Sequence, residues 1–389
     1  MNERLTALRR GGDGNLLIYA ESETDSDLYY ATQFLVPDPV AYLELNGEKI
    51  LLVKSLEYGR AGDQAQVDRV VSTSPFEEEL RARDEHTHWT RLLDLFLESQ
   101  ATKVEKQFAV PANFPLGSAE RLRELGYQLT VCPSPLFPER TVKTPEEAEA
   151  IERSQRGAEA CMEFVIDLLR RSEIRGDLLH LDGQLLTAER TRFEAHKFLL
   201  DLGLVATNTI IAGGDQGCDG HHRGSGPLPA HKTIVIDIFP RCVETRYWGD
   251  LTRTVVRGEI SDAVRRLYRD VLEAQEAALA LLRDGQDGEN VHRTVVDLFE
   301  AQGNPSVERD GRKTGFIHST GHGVGLDIHE APSVGRLKSP LKTGHVVTIE
   351  PGLYYPGVGA VRIEDLVVIT ADGHRNLTRL PKDSVDVCN

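Results

Sequence analysis

Cysteine is scarce in this chain, positive charge is in deficit, and no apolar run is long. The five cysteines, at 132, 161, 218, 242 and 388, are scattered, odd in number and without a Cys-x-x-Cys pair. Neither a disulfide framework nor a thiolate zinc site follows from that pattern. Cys218 and Cys242 flank polar segments, which leaves a reactive thiol as the minor reading beside the commoner buried thiol. Lysine and arginine number 45 against 61 aspartates and glutamates, for a net charge of −16. That balance argues against nucleic acid and against an anionic membrane surface as partners. No stretch reaches the ~18 uninterrupted apolar residues of a membrane span. The opening MNERLTALRRGGDGN holds no apolar run fit for a secretory core, so a cytoplasmic location is expected. Repeats of solenoid length and low-complexity tracts are also lacking.

What is present reads as ordinary globular material, with 40% hydrophobic and 27% charged residues. At roughly 100 to 200 residues per domain, a chain of this length implies two. From Asn15 to about Cys132 short apolar runs at 16–20, 40–45, 50–53, 67–71, 104–110 and 127–131 read as strands. His88–Glu98 and Ser118–Leu125 read as helices, giving an α/β domain over 1–140 that shapes or covers a site made elsewhere. Four prolines from Pro133 to Pro145 mark the boundary. Beyond it Thr144 is placed to cap a helix that starts at Pro145 and runs to about Arg171. Further helices are expected over 185–202, 261–282 and 288–301, with strands over 206–213, 233–239, 250–256, 345–350 and 361–369. Helix pair followed by strands thus occurs twice within 141–389, which suggests two related halves.

One stretch, Gly315–Pro332, packs His318, His322 and His329 with two acidic residues and four glycines into eighteen positions. Its glycines disfavour a helix and favour an extended or looped backbone. Elsewhere, carboxylates occupy apolar strands. Asp237 lies within IVIDIF, Asp250 opens a strand, Glu350 ends VVTIE, and Glu364 interrupts VRIEDLVVI. A buried unpaired charge costs several kcal/mol, so each must be neutralised, paired or bound to metal. Four carboxylates and the imidazole of His322 form a ligand set for two divalent cations, with manganese, zinc or cobalt suited to oxygen donors plus one nitrogen. Two such ions ~3.5–4 Å apart can clamp a hydroxide between them. A hairpin through Phe239–Gly249 would bring Asp237 beside Asp250.

These residues, in the order IVIDIF, GDLTRT, HSTGHGVGLDIHE, TIEPG and VRIED, resemble the metallopeptidases that include prolidase, aminopeptidase P, methionine aminopeptidase and creatinase. The resemblance covers about 144–370 and implies a mixed α/β chain, a creatinase-like N-terminal domain followed by a pita-bread catalytic domain. It departs in one respect: Asp250 follows Asp237 by thirteen positions where eleven are usual, an even difference that keeps both side chains on one face. The resemblance implies that Asp237 binds one metal, that Asp250 and Glu364 bridge both, and that His322 and Glu350 complete the second. Glu350 would also act as general base, while His221, His318 and His329 contact substrate. Arg362 would orient Glu364 or the substrate, and Arg336 is a candidate for a dipeptide's terminal carboxylate. His222 is the alternative to His221. The implied activity is hydrolysis of Xaa-Pro bonds in dipeptides by a homodimer. Aminopeptidase P activity on longer peptides and a metal-free binding protein are the alternatives.

Overall fold

The computed structural model describes residues 15 to 386 except Asp310, and except the side chains of Arg309 and Arg312. Cys388 lies outside the described residues. The chain divides into two compact units between Pro138 and Glu139.

The first unit is built on a six-stranded sheet. Its strands are β1 (Asn15–Ala20), β2 (Val40–Leu45), β3 (Glu48–Val53), β4 (Arg69–Ser72), β5 (Gln107–Pro111) and β6 (Gln128–Cys132), in the order β4-β3-β2-β1-β5-β6. Strands β1 to β3 are antiparallel neighbours, whereas β4, β5 and β6 join in parallel. Asn46 and Gly47, at φ 52° and 86°, make the tight β2–β3 turn, a conformation open to this dipeptide. Alternation sorts the strands onto two cores. Leu16 and Ile18 pack with Leu28, Phe34 and Val36, while Leu17 packs with Leu93, Phe96, Phe108 and Leu122. Helices α1 (Ser26–Thr32), α2 (Ser55–Gln64) and α3 (Ser74–Ala82) join the expected α4 (Trp89–Glu98) and α5 (Leu116–Glu124). The first three escape periodicity because α1 is only seven residues long and α2 and α3 are mostly solvated, α2 burying only Ala61 and α3 only Leu80.

The second unit opens with α6 (Pro145–Arg171), where Thr144 accepts from Glu147 N and Glu147 reaches back to the Thr144 amide. Next come α7 (Ala188–Asp201), β7 (Ile210–Gly213), β8 (Thr233–Ile238) and β9 (Leu251–Val256), the three strands forming one antiparallel sheet. A second half repeats the plan with α8 (Asp262–Leu281) and α9 (Gly288–Ala301). Besides a short hairpin of Val307–Arg309 and Arg312–Thr314, its strands are β10 (Gly321–Gly323), β11 (Glu330–Val334), β12 (Val346–Ile349), β13 (Gly352–Tyr355), β14 (Gly359–Arg362), β15 (Asp365–Ile369) and β16 (His374–Asn376). A five-stranded sheet runs β11-β10-β12-β15-β16, and β13 pairs with β14 separately. Each half has its own core. Met162, Val165 and Leu169 pack with Ile234, Ile236 and Leu251 in the first, and Val271, Val291 and Phe299 pack with Val347 and Val361 in the second.

The strand expected over 361–369 is two strands in two sheets. Ile363 and Glu364 separate them, because the Glu364 amide donates to Thr252 O in the other half, 3.1 Å away, and leaves the ladder of its neighbours. Arg253 of β9 fastens the same junction, donating to Glu364 O at 2.6 Å and pairing with Asp365 at 2.9 Å.

Candidate metal centre

The halves meet along the carboxylate strands. In the β8–β9 ladder Asp237 lies opposite Thr252 and Ile238 opposite Leu251. Residues directly opposite share a face and the strand period is two, so Asp237, Thr252 and Asp250 project to one side despite the longer connection. Glu350 follows β12, its amide donating to Thr320 O at 2.8 Å, and His322 occupies the middle of β10. Gly321 is required where β10 crosses β12, since a Cβ there would sit 1.8 Å from Thr348 O.

Asp250, His322 and Glu364 bring ligand atoms within 4.8 Å of one another. His322 Nε2 lies 3.6 Å from an Asp250 oxygen and 3.3 Å from a Glu350 oxygen. Its other nitrogen, Nδ1, is 3.1 Å from Gly323 O and must donate there, because a carbonyl only accepts. Burial, then the neighbouring His329, pushes His322 down to about 4, so the ring is neutral near pH 7 and Nε2 carries a lone pair. An acceptor therefore faces acceptors, an arrangement that calls for a cation or a proton between them. The carboxyls agree: burial and mutual repulsion hold Asp250 and Glu364 well above the usual range. Burial pushes Glu350 up to about 8, with Arg362 opposing and Asp237 adding to the shift. Asp237 pairs with the Arg362 guanidinium at 2.7 Å from Oδ2, while its buried Oδ1 has no hydrogen bond among the described residues. The donor set, neutral imidazole plus four carboxylates with one oxygen unused, fits divalent cations.

Around this cluster the structure brings the expected substrate residues together unequally. His329 is exposed, with its ring 4.3 Å from that of His322 at 83°. His221 is exposed as well, and its charge contributes to lowering both His318 and His329. Its neighbour His222 is occupied by the loop, where Nδ1 accepts from Gly224 N at 3.0 Å. His318 has both nitrogens engaged internally: Nδ1 donates to Ser319 O at 2.8 Å and Nε2 accepts from Tyr354 Oη at 2.7 Å. Arg362 is buried and reaches Asp237, Thr252 Oγ1 at 3.2 Å and Tyr354 Oη at 3.1 Å, so the role open to it is orientation within the protein. Arg336 is exposed beyond the end of β11, and its charge acts on His292. Burial raises the Cys218 thiol to about 12, which removes the reactive-thiol reading there.

Several contributors carry no motif of their own. Thr252 donates to Glu364 at 2.6 Å, and Thr348 receives the His322 amide at 3.1 Å and donates to Glu350 at 3.3 Å. Each stands two residues from a carboxylate at the end of its strand, Asp250 or Glu350, so period-two reasoning could have found both. Tyr354, fully buried between His318 and Arg362, had no such signal. The loop carrying His329 is fixed by Glu330, which pairs with buried Lys143 and Arg140, and by Trp248, whose Nε1 donates to Leu326 O at 2.9 Å. Arg241 lies over the Trp248 ring at 5.5 Å.

Residues 149–371 match the model of metallopeptidase family M24. A Xaa-Pro dipeptidase of Pyrococcus furiosus is 32% identical over 250 residues, a match spanning 63% of this chain and 65% of that protein, just under two thirds of its length. Among solved structures, a Xaa-Pro dipeptidase from Bacillus anthracis superposes with a TM-score of 0.80 at 23% identity, covering 98% of this chain and 97% of that one. An X-Pro aminopeptidase from Thermotoga maritima gives 0.77 at 24% identity, covering 95% and 96%. These likenesses show the pita-bread fold of the two-halved unit.

Proposed function

The chain belongs to metallopeptidase family M24, and from that membership and the geometry of its carboxylate–imidazole cluster we propose that it hydrolyses Xaa-Pro peptide bonds, chiefly in dipeptides. The observation that carries the reading is the His322 lone pair aimed at oxygens of Asp250 and Glu350. Asp237, Asp250, His322, Glu350 and Glu364 would hold two divalent cations, with manganese, zinc or cobalt as candidates. Bound there, the cations supply Lewis acidity, bringing a water toward neutral pKa and polarising the scissile carbonyl.

The remaining chemistry falls to side chains. Glu350, steadied by Thr348, takes a proton from the attacking water and passes it toward the leaving proline nitrogen. His329, exposed beside His322, donates to the oxygen that becomes negative in the tetrahedral intermediate, with His221 on the substrate's other side. His318 acts through Tyr354, since neither of its nitrogens is available to substrate. Arg362 holds Asp237 and, through Thr252, Glu364. Arg336 is not drawn into this reading. A cytoplasmic homodimer completes the proposal, and light scattering on the purified chain tests the second half of it.

The deciding assay loads metal-depleted protein with Mn2+ or Zn2+ and follows Ala-Pro, Leu-Pro and Gly-Pro, then the same substrates extended after proline. Dipeptide cleavage that falls with each added residue is expected. Preference for the longer peptides would instead establish aminopeptidase P activity, and no turnover of any of them would overturn the proposal.

A further inference from the structure

Two fully buried glutamines stand on helices of the second unit, one in each half. On α8, Gln275 shares its face with Leu267, Val271, Ala274 and Ala278, all buried. Its Nε2 donates to Ile349 O at 3.0 Å and to Ile363 O at 3.1 Å. Those carbonyls belong to the residues immediately before Glu350 and Glu364, one at the end of β12 and the other between β14 and β15. A single planar amide therefore joins the end of β12 to the break between β14 and β15, and sets the distance between the carboxylates that follow directly, Glu350 and Glu364. Its Oε1 is buried and has no hydrogen-bond partner among the described residues. An unsatisfied buried acceptor is unfavourable, so this amide persists for what its NH2 group fixes.

On α6, Gln155 does the corresponding task for the first half. Its Oε1 accepts from Asp250 N at 2.8 Å and its Nε2 donates to Thr378 Oγ1 at 2.9 Å. Close packing enforces the contact: a Cβ on Gly249 would lie 2.7 Å from Gln155 N and 2.8 Å from Ser154 O. Neither glutamine reaches the cluster with its own side chain; both act on the main chain that carries it.

We propose that Gln155 and Gln275 are positioning residues, a matched pair that holds the backbones of Asp250, Glu350 and Glu364 at the separation a metal pair needs. This rests on the reading of the cluster as a metal site. Outer partners of metal ligands typically account for about 10- to 100-fold in affinity, and these act through the backbone.

The test is calorimetric titration of metal-depleted protein with Co2+ alone, together with the visible absorption of the Co2+ form. Gln275→Met should lower Co2+ affinity by about tenfold or more and alter the absorption envelope. Val271→Ala, one turn away on the same buried face, should lower the melting temperature and leave both readouts unchanged. Gln155→Met removes the acceptor of the Asp250 amide together with the bond to Thr378 Oγ1 and should weaken binding in the same way; it decides the matter if Gln275→Met does not fold. Unchanged affinity and spectrum in the folded glutamine variants, or an equal loss in Val271→Ala, overturns the proposal. Wild-type protein that takes up no Co2+ overturns the metal reading beneath it.

Discussion

Replacing His322 by alanine removes the one nitrogen donor and leaves Asp250 and Glu350 facing each other across a cavity. The outer-partner loss of about 10- to 100-fold is a lower bound for such a change, so metal content measured by elemental analysis after dialysis should collapse, and Glu364→Gln should do the same. Tyr354→Phe makes a finer distinction. It deletes the hydroxyl that donates to His318 and accepts from Arg362, without touching a ligand. Turnover should fall by about tenfold, within the range for lost positioning, while metal content stays at the wild-type level; a parallel loss of metal would refute the assignment. At this scale the residues of the cluster are legible in the sequence, and their partners are not. Asp237 is conspicuous in IVIDIF because charge there is costly. That Arg362 answers it follows from a contact 125 positions apart, which no local pattern encodes. The same holds for His318: its position near His322 is legible, but the one acceptor and the one donor that engage its ring, Ser319 O and Tyr354 Oη, are not.

Among the elements, α6 was readable to the residue at its start, because Thr144, Pro145 and Glu147 supply the cap chemistry locally. Thr144→Ala should therefore lower stability by about 1 kcal/mol, measured by denaturant unfolding, with kinetics unchanged. The β10–β12 crossing is less forgiving. Gly321→Ala places a methyl 1.8 Å from Thr348 O, and soluble folded protein should be nearly lost, whereas Gly220→Ala meets open space and should express normally. The run VRIEDLVVI misled for the opposite reason. Its apolar pattern is continuous, and only the pairing of Glu364 N with Thr252 O shows where the strand breaks. Break and site coincide: the junction exists because a carboxylate must leave one sheet to meet the other.

For the whole molecule, metal-free stability depends on pH through buried groups of opposite sign. His322, lowered to about 4, and His318, lowered to about 3, bind fewer protons folded than unfolded. Their contribution is lost as pH falls below about 6.5. Glu350, raised to about 8, contributes most at low pH and loses that contribution as pH climbs toward its folded value. The two trends oppose below pH ~6.5, where the histidines titrate; above it the carboxyls act alone. Metal-free protein should lose on the order of 1–2 kcal/mol between pH ~6.5 and 8, and thermal melts should show Mn2+ giving its largest stabilisation at the alkaline end. A metal-free melting temperature that rises across this window would contradict the buried-carboxylate account.

The two tryptophans of the chain divide the labour of reporting on it. Trp89 stacks on Tyr19 at 3.8 Å in the first unit, whereas Trp248 is tied through Leu326 to the loop that bears His329. With Trp89 replaced by phenylalanine, the emission colour of the remaining indole becomes an optical gauge of that loop, read in real time as peptide enters and leaves, without label or chromogenic substrate.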